Sequence, residues 1–208
     1  MTKDSQLRVG QEEKSTVTSV APNERLKLTP KLCDCRLGHQ CLPLPYPDSY
    51  WLRITSDTNT HYSLGAYNQQ QKLIGAIGVI RRVGDYFDVK ILNVEEQKLI
   101  NTYRKVCYIT TLMVAPEFRK IGVATQLLQR ASTVLLQEGS QLIYLHVLHS
   151  NLPAIRLYEK MGYEKVVAIP NYYTINGVQE AGLVYCKRLA VPVCHECLVN
   201  GGGYCTIS

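Results

Sequence analysis

Hydrophobic and polar positions follow two different periods along the chain, and together they predict a sheet with helices packed against it. Residues 61–67 and 73–83 are rich in β-branched and apolar side chains and are separated by a short polar stretch, which is typical of a hairpin. A longer polar connection follows over residues 84–105. Residues 106–114 then predict a further strand, which ends at a turn containing Pro116.

The second half of the chain alternates between helices and strands. Apolar side chains at spacings of three and four predict a helix that ends at Gly139; they are Val123, Leu127, Leu128, Ala131, Val134 and Leu135. The nearly continuous apolar run at residues 142–148 is expected of a strand that is covered on both faces. A second helix is predicted from the favourable cap Asn151 to Gly162, and strands at 163–169 and 182–188 flank residues 170–181. This order predicts a mixed α/β sheet.

The two ends of the chain differ from this core. Residues 1–24 are polar without a sustained period and predict a flexible lead-in. A short strand at 25–29 and a short helix from Leu32 follow, and three prolines then impose an irregular loop on residues 42–48. Residues 191–208 form a tail rich in Cys and Gly. We therefore expect one domain over residues 25–190.

Composition excludes several classes of protein. The chain has 208 residues, of which 46% are hydrophobic and 19% charged, so it can bury a sizeable core and is not expected to be disordered. No apolar stretch approaches the roughly 18 residues that would span a bilayer, and the first residues do not resemble a secretory signal. We expect the protein to face the cytosol. The net charge of +6 comes without a nucleic-acid-binding motif, so no nucleic acid is expected as a partner.

The segment between the strand at 106–114 and the following helix carries the strongest chemical signal. Arg119 and Lys120 place two positive charges at a helix N-terminus, where the helix dipole already favours negative charge. This arrangement is favourable if an anion such as pyrophosphate binds there, with Gly122 and Ala124 allowing the backbone to approach it. The spacing fits neither the Walker pattern nor the dinucleotide-binding Gly-x-Gly-x-x-Gly. From position alone, a basic solvated turn is an equal alternative.

Several motifs in order resemble the GCN5-related acetyltransferases, the GNAT superfamily. The segment Arg119 to Ala124 is similar to their Gln/Arg-x-x-Gly-x-Gly/Ala signature. Residues 107–119, the strand sequence Ile-Tyr-Leu-His-Val-Leu at 143–148 and Asn171-Tyr-Tyr173 resemble the N-terminal acetyltransferases of the NatE and NatF types. The loop at 42–49 is closest to NatF. The resemblance covers roughly residues 25–190 and implies the GNAT fold: an α/β fold whose mixed, mostly antiparallel sheet has central splayed parallel strands flanked by helices.

The resemblance also implies an activity and a mechanism. The implied enzyme moves acetyl from acetyl-CoA directly to the free α-amino group of protein N-termini that begin with Met and an apolar or amphipathic residue. The residues that match the water-mediated base are Tyr108 and His146. Taken alone, His146 would more simply be a core histidine. An α-amine has a pKa near 7.7–8.0, so a base has only to complete its deprotonation.

The implied binding residues lie along the cleft between the splayed strands. For acetyl-CoA, the backbone of Leu112, Met113 and Val114 would hold the pantetheine, and the loop would hold the pyrophosphate through Arg119, Lys120, Ile121, Gly122, Val123, Ala124 and Thr125. Asn151 and Tyr158 match residues near the pantetheine and the thioester sulfur. The residues expected to bind the acceptor peptide are Leu42, Pro43, Tyr46, Thr110, Tyr172 and Tyr173. Met113 replaces a small residue of the family.

Other readings remain open from the sequence. A lysine acetyltransferase could use the same fold, and so could a catalytically silent CoA-binding module. Cys33, Cys35, Cys194 and Cys197 could bind zinc by count, although no metal is our expectation. The last residues, Cys205-Thr-Ile-Ser208, fit a prenylation pattern, so Cys205 is a candidate lipidation site. With a lipidated tail the membrane surface becomes a partner, and an internal membrane such as the Golgi is the expected location.

Overall fold

The structure, a computed structural model, describes residues 27–29, 35–42, 46–86 and 92–189. The predicted lead-in at 1–24 and the tail at 191–208 lie outside these residues, as do Pro43, Cys205 and three of the four candidate zinc ligands, Cys33, Cys194 and Cys197.

Seven strands of the described residues form one sheet, and their bounds are β1 Lys27–Thr29, β2 His61–Tyr67, β3 Leu73–Ile80, β4 Val106–Val114, β5 Leu142–Leu148, β6 Glu164–Ile175 and β7 Val178–Arg188. Their order across the sheet is β1-β2-β3-β4-β5-β7-β6. Among these pairs only β4 and β5 run parallel. The predicted fold class is therefore confirmed: a mixed, mostly antiparallel sheet with one parallel pair at its centre.

Six α-helices are described: α1 Cys35–Cys41, α2 Asp48–Ser56, α3 Val83–Tyr86, α4 Val94–Thr102, α5 Val123–Gln137 and α6 Leu152–Lys160. The apolar side of α5 is buried against one face of the sheet through Val123, Leu127 and Leu135, and α6 adds Tyr158 to the same core cluster. Helices α1 and α2 pack on the opposite face through Leu37, Trp51 and Ile54. Helix α4 joins a third cluster through Leu99 and Ile100, beside Tyr144 of β5. The sheet is thus covered on both faces.

Three sequence predictions about local structure were wrong. The polar connection 84–105 contains α4, and α3 begins at Val83, where the strand was expected to end. Helix α2 was not predicted. The segment 170–181 is not a connection: β6 and β7 continue through it and turn at Asn176 and Gly177, both of which have positive φ angles. The resulting long hairpin brings Tyr172 and Tyr173 to the cleft edge of the sheet.

Candidate active site

The parallel strands β4 and β5 separate and leave a cleft between them. They are paired only over Val106–Ile109 and Leu142–Leu145. Beyond that point β4 pairs with β3 alone. The other edge of β4 at Leu112, Met113 and Val114 has no pairing with β5 and is therefore available to a ligand, apart from the carbonyl of Val114, which accepts from Arg119 and Cys41.

A β-bulge at Thr110 marks the point of separation. Ile109 pairs with Val79 and Thr111 pairs with Gly78, so Thr110 is the extra residue. Its hydroxyl donates to the carbonyl of Gly78 at 3.1 Å and accepts from the phenol of Tyr50 at 2.7 Å. A bulge bends its strand and increases the local twist, which explains why β4 turns away from β5 here.

The cleft is a cavity of about 130 Å³ that is lined by eight residues of the predicted site. Its lining includes these residues of the predicted set: Leu42, Tyr46, Thr110, Leu112, His146, Asn151, Tyr158 and Tyr173. Met113 does not line it; the residue is 2% exposed and packs in the cluster that contains Leu37 and Trp51. Tyr172 lines a separate cavity on the other side of His146.

Tyr108 and His146 are brought together by adjacent strands. Tyr108 of β4 pairs with Tyr144 of β5, and His146 lies two residues further along the same face. The phenol oxygen of Tyr108 is 3.1 Å from Nδ1 of His146. The two rings form an edge-to-face contact with centroids 5.6 Å apart. Tyr108 and His146 are far apart in the sequence, but in the structure they form a hydrogen-bonded pair.

Glu96 of α4 lies on the other side of the imidazole. Its Oε1 is 3.3 Å from Nε2 of His146, and each side chain is 4% exposed. The two atoms are close enough for an ion pair but do not have the geometry of a hydrogen bond. Neither atom has a hydrogen-bond partner among the residues that the structure describes. The second oxygen of Glu96 accepts from the backbone N–H of Asn93 at 3.2 Å, as part of the capping box that begins α4.

Burial shifts the pKa values of His146, Glu96 and Tyr108. It lowers the pKa of His146 to about 4, so the imidazole is neutral at neutral pH and can accept a proton. Burial also raises the pKa of Glu96, against the opposing effect of its hydrogen bonds with Asn93. The pKa of Tyr108 is raised well above its usual value, chiefly by burial, so this phenol stays protonated and acts as a donor.

Tyr172 covers the imidazole from the β6 side. The two rings are stacked with centroids 4.2 Å apart and planes inclined by 4°. The position of Tyr172 depends on Gly182 of β7, since a Cβ atom there would lie 2.8 Å from Cδ1 of the tyrosine ring. Tyr173, the next residue, has its ring at 86° to that of Tyr172 and lines the cleft instead.

The start of α5 has the features of an anion site. Gly122, the residue before the helix, has a φ of +91° and offers no side-chain cap, and no acidic residue occupies the first turn. The free N–H groups are therefore available to a ligand. Arg119 and Lys120 are exposed beside them, and Nε of Arg119 donates to the carbonyl of Val114 at 3.1 Å. This chemistry fits a pyrophosphate group.

Asn151 and Tyr158 complete the far wall of the cleft. Asn151 begins α6, and its side-chain oxygen accepts from the N–H of Ala154 at 3.3 Å. Tyr158 is 7% exposed, and burial raises the pKa of its phenol. A protonated phenol in this wall can donate a proton to a leaving group in the cleft.

Sequence reasoning missed Glu96 and Tyr50. The pattern Asn93-x-x-Glu96 is a capping-box signature and could have predicted α4 within the supposed connection. No local signal links Glu96 to His146 or Tyr50 to Thr110, because both contacts form only when separate elements pack together.

Two kinds of feature are absent from the described residues. No group of three or more His, Cys, Asp or Glu side chains there could hold a metal ion. Within the same ranges, the helices are all too short or too polar to cross a bilayer.

Comparison with known proteins identifies the fold and the family. A model of the acetyltransferase (GNAT) family matches residues 32–163. The N-alpha-acetyltransferase 60 of Xenopus tropicalis is 32% identical over 149 residues, which are 69% of this chain and 59% of that protein. The chain thus spans about three fifths of the length of this curated relative, 59%.

Solved structures share the architecture. NAA60 of Arabidopsis thaliana in complex with a bisubstrate analogue has a TM-score of 0.65 and 22% identity, over 79% of this chain and 98% of that one. The same plant protein in complex with acetyl-CoA gives a TM-score of 0.64 and 21% identity, with the same coverage of both chains, 79% and 98%. At these identities the likeness is one of fold.

Proposed function

The chain belongs to the acetyltransferase (GNAT) family, and on that premise we propose that it is an N-alpha-acetyltransferase. It moves acetyl from acetyl-CoA to the free α-amino group of protein N-termini. The relative from Xenopus tropicalis, whose name states this activity, supports the proposal. The observation that carries it is the hydrogen-bonded pair of Tyr108 and His146 at the point where β4 and β5 separate.

The protonation of this pair suits an α-amine. A neutral imidazole can take a proton, directly or through an ordered water, from an ammonium group whose pKa is near 7.7–8.0. A lysine side chain has a pKa near 10.4, so its neutral fraction at the same pH is about 300-fold smaller than that of an α-amine. The weakly basic His146 therefore favours the α-amine over the lysine side chain as acceptor.

The cleft offers a complete set of groups for acetyl-CoA. We assign the pantetheine to the free edge of β4 at Leu112 to Val114, and the pyrophosphate to the loop Arg119 to Thr125 at the start of α5. The uncapped N–H groups of α5 and the two exposed cations support this assignment. Bound there, acetyl-CoA supplies the activated acetyl group.

The chain's own residues provide the rest of the mechanism. Tyr108 and His146 remove the proton from the acceptor nitrogen, which attacks the acetyl carbon in a ternary complex without an acyl-enzyme. Tyr158 donates its phenolic proton to the departing sulfur and is reprotonated by the second proton that the acceptor nitrogen loses as the amide forms. Asn151 orients the chain that carries the sulfur. Proton transfers of this kind typically contribute about 10²–10⁴-fold to the rate.

The mouth of the cleft selects the acceptor. Leu42 and Tyr46 line it from the segment between α1 and α2, Tyr173 from β6 and Thr110 from β4. Apolar and phenolic side chains on both sides suit an extended peptide with an apolar or amphipathic second residue after Met. Pro43, also expected to contact the peptide, lies outside the described residues.

The proposal is tested with short peptides that carry either a free or a blocked α-amine, some with an internal lysine. We expect acetyl transfer to free α-amines, with preference for Met followed by an apolar residue. Transfer confined to lysine side chains would identify a lysine acetyltransferase, and acetyl-CoA binding without transfer to any peptide would identify a silent module. Location on an internal membrane through Cys205 stays a prediction of the sequence.

A further inference from the structure

A second cavity lies beside the cleft and shares His146 with it. Its volume is about 360 Å³, and its lining consists of Leu92, Asn93, Glu96, Tyr108, Tyr144, His146, Ile169 and Tyr172. A water molecule needs roughly 10–15 Å³ of such space, so the cavity has room for several. The imidazole of His146 stands between the two spaces, because it lines both.

The polar atoms at the base of this second cavity are poorly satisfied. Oε1 of Glu96 and Nε2 of His146 are buried 3.3 Å apart, and neither forms another hydrogen bond among the described residues. The capping box fixes the opposite oxygen of Glu96, so the carboxylate cannot turn away. Leaving such atoms without partners is costly. Both atoms are enclosed by protein, so each can exchange a proton directly with the other, while the side chain of Glu96 also lines the cavity.

The proposed reaction requires a route for one proton. An ammonium acceptor and a thioester give an amide, a thiol and one proton in excess. Tyr108 and His146 receive that proton in a buried position, with the cofactor and peptide filling the cleft. A return path through the filled cleft is therefore blocked during the reaction.

We propose, on the basis of the proposed acetyl transfer, that the second cavity conducts this proton from His146 through Glu96 to solvent. The acceptor nitrogen loses a proton to the Tyr108–His146 pair. His146 passes a proton to Oε1 of Glu96, and Glu96 releases one to water in the cavity. Tyr108, His146 and Glu96 end with the number of protons they had at the start, and the excess proton reaches bulk water.

Glu96→Gln tests the route without removing the cap, because Gln also closes a capping box. We expect the rate of a single turnover to fall by about tenfold to hundredfold, with unchanged affinity for acetyl-CoA. Added imidazole or formate should restore the rate of this variant in proportion to its concentration, since a small buffer in the cavity replaces the carboxylate. The unaltered protein should not respond to the buffer.

A second variant closes the cavity without changing an ionisable group. Leu92→Trp should slow turnover and should not be rescued by buffer, whereas Leu136→Trp, an equal change on the exposed side of α5, should have no effect. Thermal unfolding shows whether each variant is folded, and Ile169→Phe replaces Leu92→Trp if that variant is not.

The possible results separate three conclusions. A slow Glu96→Gln that ignores buffer would overturn the proposal and leave Glu96 as a residue that only positions His146. Normal turnover in both Glu96→Gln and the filled-cavity variant would overturn it too. Absence of α-amine acetylation by the unaltered protein would overturn the proposed function itself.

Discussion

The ring of Tyr172 lies flat against the imidazole of His146, with centroids 4.2 Å apart and planes inclined by 4°. This contact joins the long β6–β7 hairpin to the centre of the sheet. It limits the rotation of the imidazole about its Cβ–Cγ bond, so Nδ1 stays directed at Tyr108 and Nε2 at Glu96. The hairpin therefore positions the base as well as bordering the cleft.

The first prediction concerns the glycine beneath this contact. In Gly182→Ala the new Cβ would lie 2.8 Å from the ring of Tyr172 and 3.0 Å from its Cβ, so the tyrosine must move. We expect kcat to fall by about tenfold to hundredfold because His146 loses its fixed orientation, while the affinity for acetyl-CoA is retained. Steady-state kinetics and calorimetry check both values.

Gly84→Ala is the control for this change. A Cβ at Gly84 meets nothing within 4 Å, and its φ is not in the left-handed region. This variant should have normal kinetics and equal or slightly greater stability. Equal kcat values in the two alanine variants would contradict a positioning role for Tyr172.

The second prediction concerns the base itself. Tyr108→Phe and His146→Ala should each lower kcat by about 10²-fold or more, because each removes one partner of the proton transfer. The affinity for acetyl-CoA should change little. Tyr62→Phe removes the hydroxyl of another buried tyrosine, on β2, and serves as the control. Near-normal rates in both site variants would remove the pair from the mechanism.

The third prediction separates the cofactor site from general effects on α5. Gly122→Glu places a side chain and a negative charge where pyrophosphate is expected, so acetyl-CoA binding should be lost. Gly139→Glu is a matched change at the other end of the same helix. Both glycines have positive φ, +91° and +81°, and both have open space around the Cβ position. The two variants should thus lose similar stability, about 1–2 kcal/mol, from backbone strain.

Isothermal calorimetry with acetyl-CoA distinguishes these two variants. We expect normal affinity in Gly139→Glu and no measurable binding in Gly122→Glu. Unchanged affinity in Gly122→Glu would exclude this loop as the pyrophosphate site.

The fourth prediction concerns stability and pH. Burial lowers the pKa of His146 from 6.5 to about 4. Between these values the unfolded chain binds a proton at this residue and the folded protein does not, so acid favours unfolding. The stabilisation is present above pH 6.5 and is lost as the pH falls towards 4, by up to about 3 kcal/mol.

Urea unfolding of the protein and of His146→Gln between pH 7 and pH 4 measures this effect. The curve of the unaltered protein should fall more steeply with acid. Glu96 contributes in the opposite direction, because its raised pKa lets the folded state keep a proton that the unfolded state releases. That contribution is common to both proteins, and parallel curves would show that His146 is not held neutral.

The strands and helices that border the cleft could be predicted because their patterns are locally complete. Strands β4 and β5 have the bounds that their apolar residues indicate, and α5 begins at Val123 as its periodic apolar face requires. The base pair and most of the cofactor residues came from the family resemblance. The cavity between β4 and β5 then contains seven of the predicted binding residues together with His146.

The remaining elements depend on tertiary contacts. Helix α4 has a polar surface, and its buried residue is the acid Glu96. The sequence therefore has no apolar stripe here that would predict a helix. The strand was expected to end at residue 169, but the register shift between Ile169 and Tyr173 accommodates Pro170 and Asn171, and β6 continues to Ile175. The pattern of residues could not reveal that Tyr172 and Tyr173 face different cavities.

The single extra residue at Thr110 also determines which side chains of β4 meet α5. Before it, Cys107 and Ile109 belong to the cluster on the α5 face; after it, Leu112 and Val114 do, while Met113 faces the opposite cluster. The odd-numbered and even-numbered positions of the strand thus exchange roles at the bulge. Deleting Thr110 would restore simple alternation, and the side chains in either the first or the second half of β4 would then face the opposite side of the sheet. We therefore expect that β4 tolerates no insertion or deletion of one residue, even where the side chains that change place are of a suitable size.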